Sequence, residues 1–113
     1  MGMELDDLFR ALADSVRRQI LDELDERDGQ TLFEIHNRLV MYHGVSLTRQ
    51  GLSKHLGVLE KAGLVRCEWQ WRSKHHFIDR SPMRAGMRMW LDRHLRAEKG
   101  QEDENRDYER SGR

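Results

Sequence analysis

The residues best equipped for chemistry lie in one stretch, "SLTRQGLSKHLGVLEKAGLV", residues 46–65. Leu52, Leu56 and Leu59 recur at helical spacing and form an apolar side. Arg49, Gln50, Ser53 and Lys54 share the other side. A polar side of this kind suits duplex DNA. Arg49 can bond guanine O6 and N7 together, and Gln50 can do the same for adenine N6 and N7. Ser53 and Lys54 lie one turn on, placed for a base or a phosphate, and His55 reaches a phosphate if it tips outward. Thr48 can cap the start of the helix, and Gly63 suits the left-handed position that ends it. Arg72 and Lys74, farther along, suit phosphate or minor-groove contact from a hairpin tip.

Other reactive groups offer less. The single cysteine, Cys67, excludes an internal disulfide and most thiolate metal sites. His75 and His76 are neighbours on an expected strand, so they point to opposite faces and do not chelate together. Cys67 has no evident oriented base, no glycine-rich phosphate loop is present, and no carboxylate pair has a catalytic setting. An enzyme is therefore the least supported class.

The charge pattern agrees with an anionic partner. The 113 residues carry 20 basic and 20 acidic side chains. Residues 1–30 hold 4 basic and 9 acidic, residues 31–96 hold 12 and 5, and residues 97–113 hold 4 and 6. The middle block is thus net positive between acidic ends, and it contains the polar-sided helix. No apolar run approaches the roughly 18 residues of a membrane span. No signal peptide precedes "MELDDLF", so no membrane partner is expected and the cytoplasm is the expected location.

Elements must position these residues. "LDDLFRALA" reads as a first helix with Leu5, Leu8, Phe9 and Leu12 at helical spacing. Asp14 can cap a second over 15–26, with Val16, Ile20, Leu21 and Leu24 inward. Thr31 and Glu34 have capping-box spacing ahead of "LFEIHNRLV", whose stripe is Leu32, Ile35 and Leu39. "MYHGVS", residues 41–46, reads as a connector. The period then changes from helical to alternating. Val65, Cys67, Trp69 and Trp71 alternate with Arg66, Glu68 and Gln70, and a turn near Trp71, Arg72 and Ser73 closes a hairpin. Trp69 is expected to pack on the helices. Ser81 as cap and Pro82 at the first position open a last helix with the stripe Met83, Met87, Trp90, Leu91 and Leu95. The class is mainly α (α+β), in the order α-α-α-α-β-β-α with a two-stranded wing: a winged helix-turn-helix. Residues 1–97 form the DNA-binding and dimerisation domain. Residues 98–113, highly charged, are expected to be a disordered tail.

These residues resemble the ArsR/SmtB-type winged-helix regulators. "LFRALADSVRRQILDEL" is similar to the family's "ALADPTRRRIL", and the agreement continues through "TLFEIHNRLV", "LTRQGLSKHLGVLEKAGLV" and the wing, over about residues 5–96. The resemblance implies a homodimeric transcriptional repressor on a pseudo-palindromic DNA operator. It also implies an interface between first and last helices, here Leu5, Leu8, Phe9, Met83, Met87, Trp90 and Leu91. Ser15 stands where the family commonly has proline, and "VMYHG" lengthens the connector before the recognition helix.

The family's metal sites transfer poorly. Its thiolate site needs a C-x-C cluster, and Cys67 stands alone. Its interface site pairs D-x-H with H-x-x-E. Asp92 and His94 supply the first and nothing supplies the second. A metal-independent regulator without cofactor is therefore expected, with an inducer the sequence does not name. The alternatives are a metal-responsive repressor with zinc or another divalent metal at the dimer interface, through Asp92 and His94, and a winged helix used for protein contact. Arg49, Gln50 and Lys54 count against the latter, because an interface centre favours aromatic and apolar groups.

Overall fold

The computed structural model describes residues 5–96. Local capping chemistry sets most of the element boundaries. α1 (Leu5–Leu12) gives way to α2 (Ser15–Glu26) at Asp14, whose carboxylate accepts from the backbone N–H groups of Val16 and Arg17 at 2.8 and 3.1 Å. Arg17 fastens this corner. Its guanidinium donates to the carbonyls of Ala11 and Arg10 at 2.6 and 3.1 Å, meeting acceptors that the end of α1 leaves free.

α3 (Leu32–His43) starts with a full capping box. The Glu34 N–H donates to the Thr31 hydroxyl, and the Glu34 carboxylate accepts from the Thr31 N–H at 3.1 Å. The helix runs farther than the sequence reading had it. Met41, Tyr42 and His43, assigned to a connector, form its last turn, and the left-handed Gly44 ends it. The actual connector is short and is held by His36, whose Nε2 donates to the carbonyl of Leu47 at 2.8 Å. α4 (Arg49–Lys61) is capped by Thr48, which accepts from the Gly51 N–H at 3.0 Å. Gly63, at a φ of 74°, allows Leu64 to turn back and donate to the carbonyl of Leu59 at 2.9 Å.

The sheet has one strand more than the predicted two-stranded wing. β2 (Val65–Gln70) and β3 (Ser73–Ile78) form the hairpin, and β1 (Gln30–Thr31) pairs antiparallel with β3 on its other edge. Two residues make too short a strand to show periodicity, which is why the sequence hides it. Gln70 pairs with Ser73, so the hairpin turn is Trp71–Arg72. Trp71 holds a φ of 62°, where glycine is usual, and its ring is 93% exposed.

The final helix, α5 (residues 81–96), contains a π turn over Met83–Met87 in which the Arg88 N–H reaches the carbonyl of Met83. Ser81 lies inside the helix rather than at its cap, and its N–H and hydroxyl donate to the Asp79 carboxylate just before the helix at 2.9 and 2.7 Å.

One core joins these elements. Leu8, Ile20, Leu24, Ile35, Leu39, Leu52, Leu56, Leu59 and Leu64 are fully buried, with Met83 and Met87 packed against them. Trp69 is the exception to the expected packing. It is 68% exposed, on the border of an open groove between the hairpin and α4.

Candidate nucleic-acid interface

The core contacts of α4 decide which side it shows to solvent. Leu52, Leu56 and Leu59 are buried, so Thr48, Arg49, Gln50, Ser53 and Lys54 all lie exposed on the opposite side. Thr48 fixes the first turn, the part of a recognition helix that meets base edges. The Arg49 guanidinium lies over the ring of Phe33, 5.5 Å from its centroid, which holds it beside the helix start.

His55 takes a different position. It is half-buried and turned toward α2, its Nδ1 accepting from Arg17 at 3.3 Å and lying 4.0 Å from Asp14. Burial alone would raise the Asp14 carboxyl. The backbone N–H groups of Arg17 and Val16, with the Arg17 charge, outweigh that and hold it below its ordinary range. His55 thus belongs to the lock between α1, α2 and α4 and does not tip toward a phosphate.

The wing is divided in a similar way. Arg72 is exposed beside Trp71, 5.9 Å from the ring centroid. Lys74 is drawn inward, its Nζ 3.4 Å from Oε1 of Glu60 near the end of α4. Between α4 and the hairpin lies a groove of about 430 Å³, bordered by Phe33, Ser53, Glu60, Trp69, Arg72 and Lys74. α4 and the wing therefore flank one aromatic-edged recess with Arg72 and Lys74 on its border.

Comparison with known proteins agrees. Residues 12–68 match a family described as a helix-turn-helix domain. The chain is similar to "Uncharacterized HTH-type transcriptional regulator YuzN" of Bacillus subtilis strain 168, 41% identical over 92 residues, which cover 81% of this chain and 100% of that one. A solved ArsR family transcriptional regulator, RHA00566, superposes with a TM-score of 0.70 at 26% identity, covering 84% of this chain and 96% of its own. An ArsR-like transcriptional regulator from Rhodococcus sp. RHA1 gives 0.64 at 28%, covering 85% and 90%.

The chain belongs to the ArsR-type winged helix-turn-helix transcriptional regulators. It is thus a DNA-binding regulator and no enzyme. No helix among the described residues is long and apolar enough to cross a membrane.

In this ArsR-type regulator, the two residues considered for an interface metal, Asp92 and His94, both lie on α5. Asp92 lies 3.6 Å from the Arg88 guanidinium, and the His94 ring meets Trp90 at a 46° tilt, 4.5 Å between centroids. Both side chains are exposed. The residues expected at the dimer seam separate into two groups. Leu8 is sealed in the chain's own core, and Leu5, Met83 and Met87 pack partly against it. Phe9 and Trp90 meet edge to face at 5.5 Å, and Phe9 and Leu91 remain 37% and 45% exposed.

Sequence reasoning missed two polar clusters. Glu23, expected at no special position, is completely buried on α2. Its Oε2 accepts from Nε of Arg38 at 2.5 Å and from Nε2 of Gln30 at 3.1 Å, with His43 at 3.5 Å from Oε1. Burial raises the Glu23 carboxyl, but the Arg38 and Gln30 hydrogen bonds prevail and hold it below its ordinary 4.5. The second cluster joins Glu60, Cys67 and His76. The Cys67 thiol donates to Oε1 of Glu60 at 2.9 Å. Burial first, then the Glu60 carboxylate, push that thiol up to about 11. The hairpin register was the available signal for it, since Cys67 and His76 are directly opposite once Gln70 pairs with Ser73.

Proposed function

We propose that this regulator is a homodimeric repressor of a pseudo-palindromic operator. The first turns of α4 enter the major groove, and the hairpin around Arg72 follows the flanking backbone. The exposed, rigidly backed row of Arg49, Gln50, Ser53 and Lys54 carries this reading. Two-fold symmetry places the half-sites about 34 Å apart, or one helical turn. Dimerisation runs through α1 and α5. Its support is the exposed apolar surface on that side, where Phe9, Met89, Leu91 and Leu95 remain uncovered in the single chain. This reading assigns no ion to the seam, because the Asp92–His94 spacing has no H-x-x-E to complete it in the sequence. Repression follows from occlusion of a promoter.

Selection of bound sequences from random duplex DNA tests the reading directly. A two-fold symmetric site is expected. Arg49→Ala should then weaken binding to that site by about 1–3 kcal/mol and leave non-specific binding much less affected. Equal losses on both DNAs would remove Arg49 from base reading. Leu91→Glu should yield monomers in sedimentation, and a stable dimer in that variant would move the seam elsewhere.

A further inference from the structure

The cluster at the α4–wing junction has a composition that the DNA-binding role does not need. A carboxylate oxygen of Glu60, the Cys67 sulfur and a ring nitrogen of His76 all lie within 4.8 Å of one another. The placement is built in. Cys67 and His76 are cross-strand partners, so their side chains share one face of the hairpin, and the end of α4 lies against that face. His76 is 3% exposed, and its Nδ1 is 3.0 Å from the carbonyl of Gln30. A carbonyl only accepts, so Nδ1 carries the proton. In the neutral ring the lone pair is then on Nε2, as in a histidine oriented by an outer carbonyl for metal binding.

We propose that Glu60, Cys67 and His76 form a site for a borderline-soft divalent cation such as zinc, with its fourth position open to the groove between α4 and the wing. Sulfur, imidazole and carboxylate are all accepted zinc donors, and three protein ligands plus an open position is a stable arrangement. Tetrahedral coordination needs donors roughly 3.3–3.7 Å apart, so the Cys67–Glu60 pair, now 2.9 Å apart, must open slightly while the rest of the set, within 4.8 Å, draws together. The half-buried Glu60 side chain, shared with Lys74, is the one free to adjust.

The charge balance gives the site a consequence. Before binding, the thiol is protonated and Glu60 is neutralised by Lys74. Binding releases the thiol proton, and the dication is balanced by one thiolate and one carboxylate. Lys74 then loses its partner and is freed at the border of the groove between α4 and the wing, beside the surface that the DNA-binding reading gives to DNA. The cation therefore converts an inward-paired lysine into a phosphate contact. This consequence rests on the DNA-binding reading, whereas the site itself does not.

Cobalt(II) titration of the full chain separates the two. Cys67 is the chain's one cysteine, so a thiolate-to-cobalt charge-transfer band has a single possible origin. One equivalent per chain is expected to saturate that band. Cys67→Ser should abolish it, Glu60→Gln should weaken binding at least tenfold, and zinc should displace the cobalt. An Asp92→Asn, His94→Gln double variant should titrate as the unaltered protein does. Absence of the band, or undiminished affinity in Glu60→Gln, overturns the site. With zinc bound, the plot of log K against log salt for DNA should steepen by about one, and Lys74→Gln should remove that change. An unchanged slope despite a normal cobalt band overturns the release of Lys74 alone.

Discussion

Two carboxylates on neighbouring helices show how differently this chain uses a polar group near its core. Glu23, between α2 and α3, is sealed from solvent and surrounded by Arg38, Gln30 and His43. Glu60, between α4 and the wing, is only half-buried, and its contacts are a thiol that can lose its proton and a lysine that can leave. The first arrangement fixes the scaffold. The second can change partners, and it lies where the reading helix meets the hairpin. A buried charge held by partners fixed on other elements marks architecture, and exchangeable partners mark a place where an outside species can enter.

The largest expected effect separates the two. Glu23→Gln removes the charge that the partly exposed Arg38 is held against, and loss of a hydrogen bond to a charged group costs about 1.5–3 kcal/mol. Glu60→Gln breaks a partly exposed pair and should cost less than about 1 kcal/mol. Urea unfolding midpoints measure both. Similar losses would erase the distinction between scaffold and exchange site.

Acidity sharpens the same contrast. Glu23 is held below its ordinary 4.5 in the fold, so the folded state resists its protonation. The stability it contributes is complete above that value and is lost as pH falls through the lower folded value. Unfolding followed from neutral pH downward should show this loss in the parent chain. Glu23→Gln should flatten that part of the profile, starting from lower stability. An unchanged acid limb in the variant would mean that other carboxylates dominate it.

How much of this was legible depended on the range of the interaction. Asp14, Thr31 with Glu34, Thr48 and Gly63 act within three or four residues, so sequence spacing revealed them and with them four helix boundaries. The outward row on α4 was legible for the same reason, as the complement of Leu52, Leu56 and Leu59. Glu23 was hidden because its burial depends on Arg38, fifteen residues away on another helix. Trp69 was misplaced because alternation gives a face but not where the core beneath it ends. The Glu60–Cys67–His76 grouping needed the hairpin register, and Trp71 occupies the turn position where a glycine would have announced it.

The two helix caps give the smallest and most selective test. Thr31 and Glu34 cap each other reciprocally, and Thr31 also lies in the short strand against β3. Thr31→Ala should therefore cost about 1–2 kcal/mol of stability. Thr48 is exposed and makes a single 3.0 Å bond to the Gly51 N–H, so Thr48→Ala should cost only about 0.5–1 kcal/mol. For DNA the order should invert. Loss of Thr48 frays the turn that carries Arg49 and Gln50, and ordering that turn must then be supplied by binding. Thr31 caps a helix that meets the core and not the bases. Gel-shift titration at a temperature where both variants are folded should show Thr48→Ala weakened on the selected site and Thr31→Ala close to the parent. A weakening that instead follows the loss of stability would mean that binding reports the overall fold and not the first turn of α4.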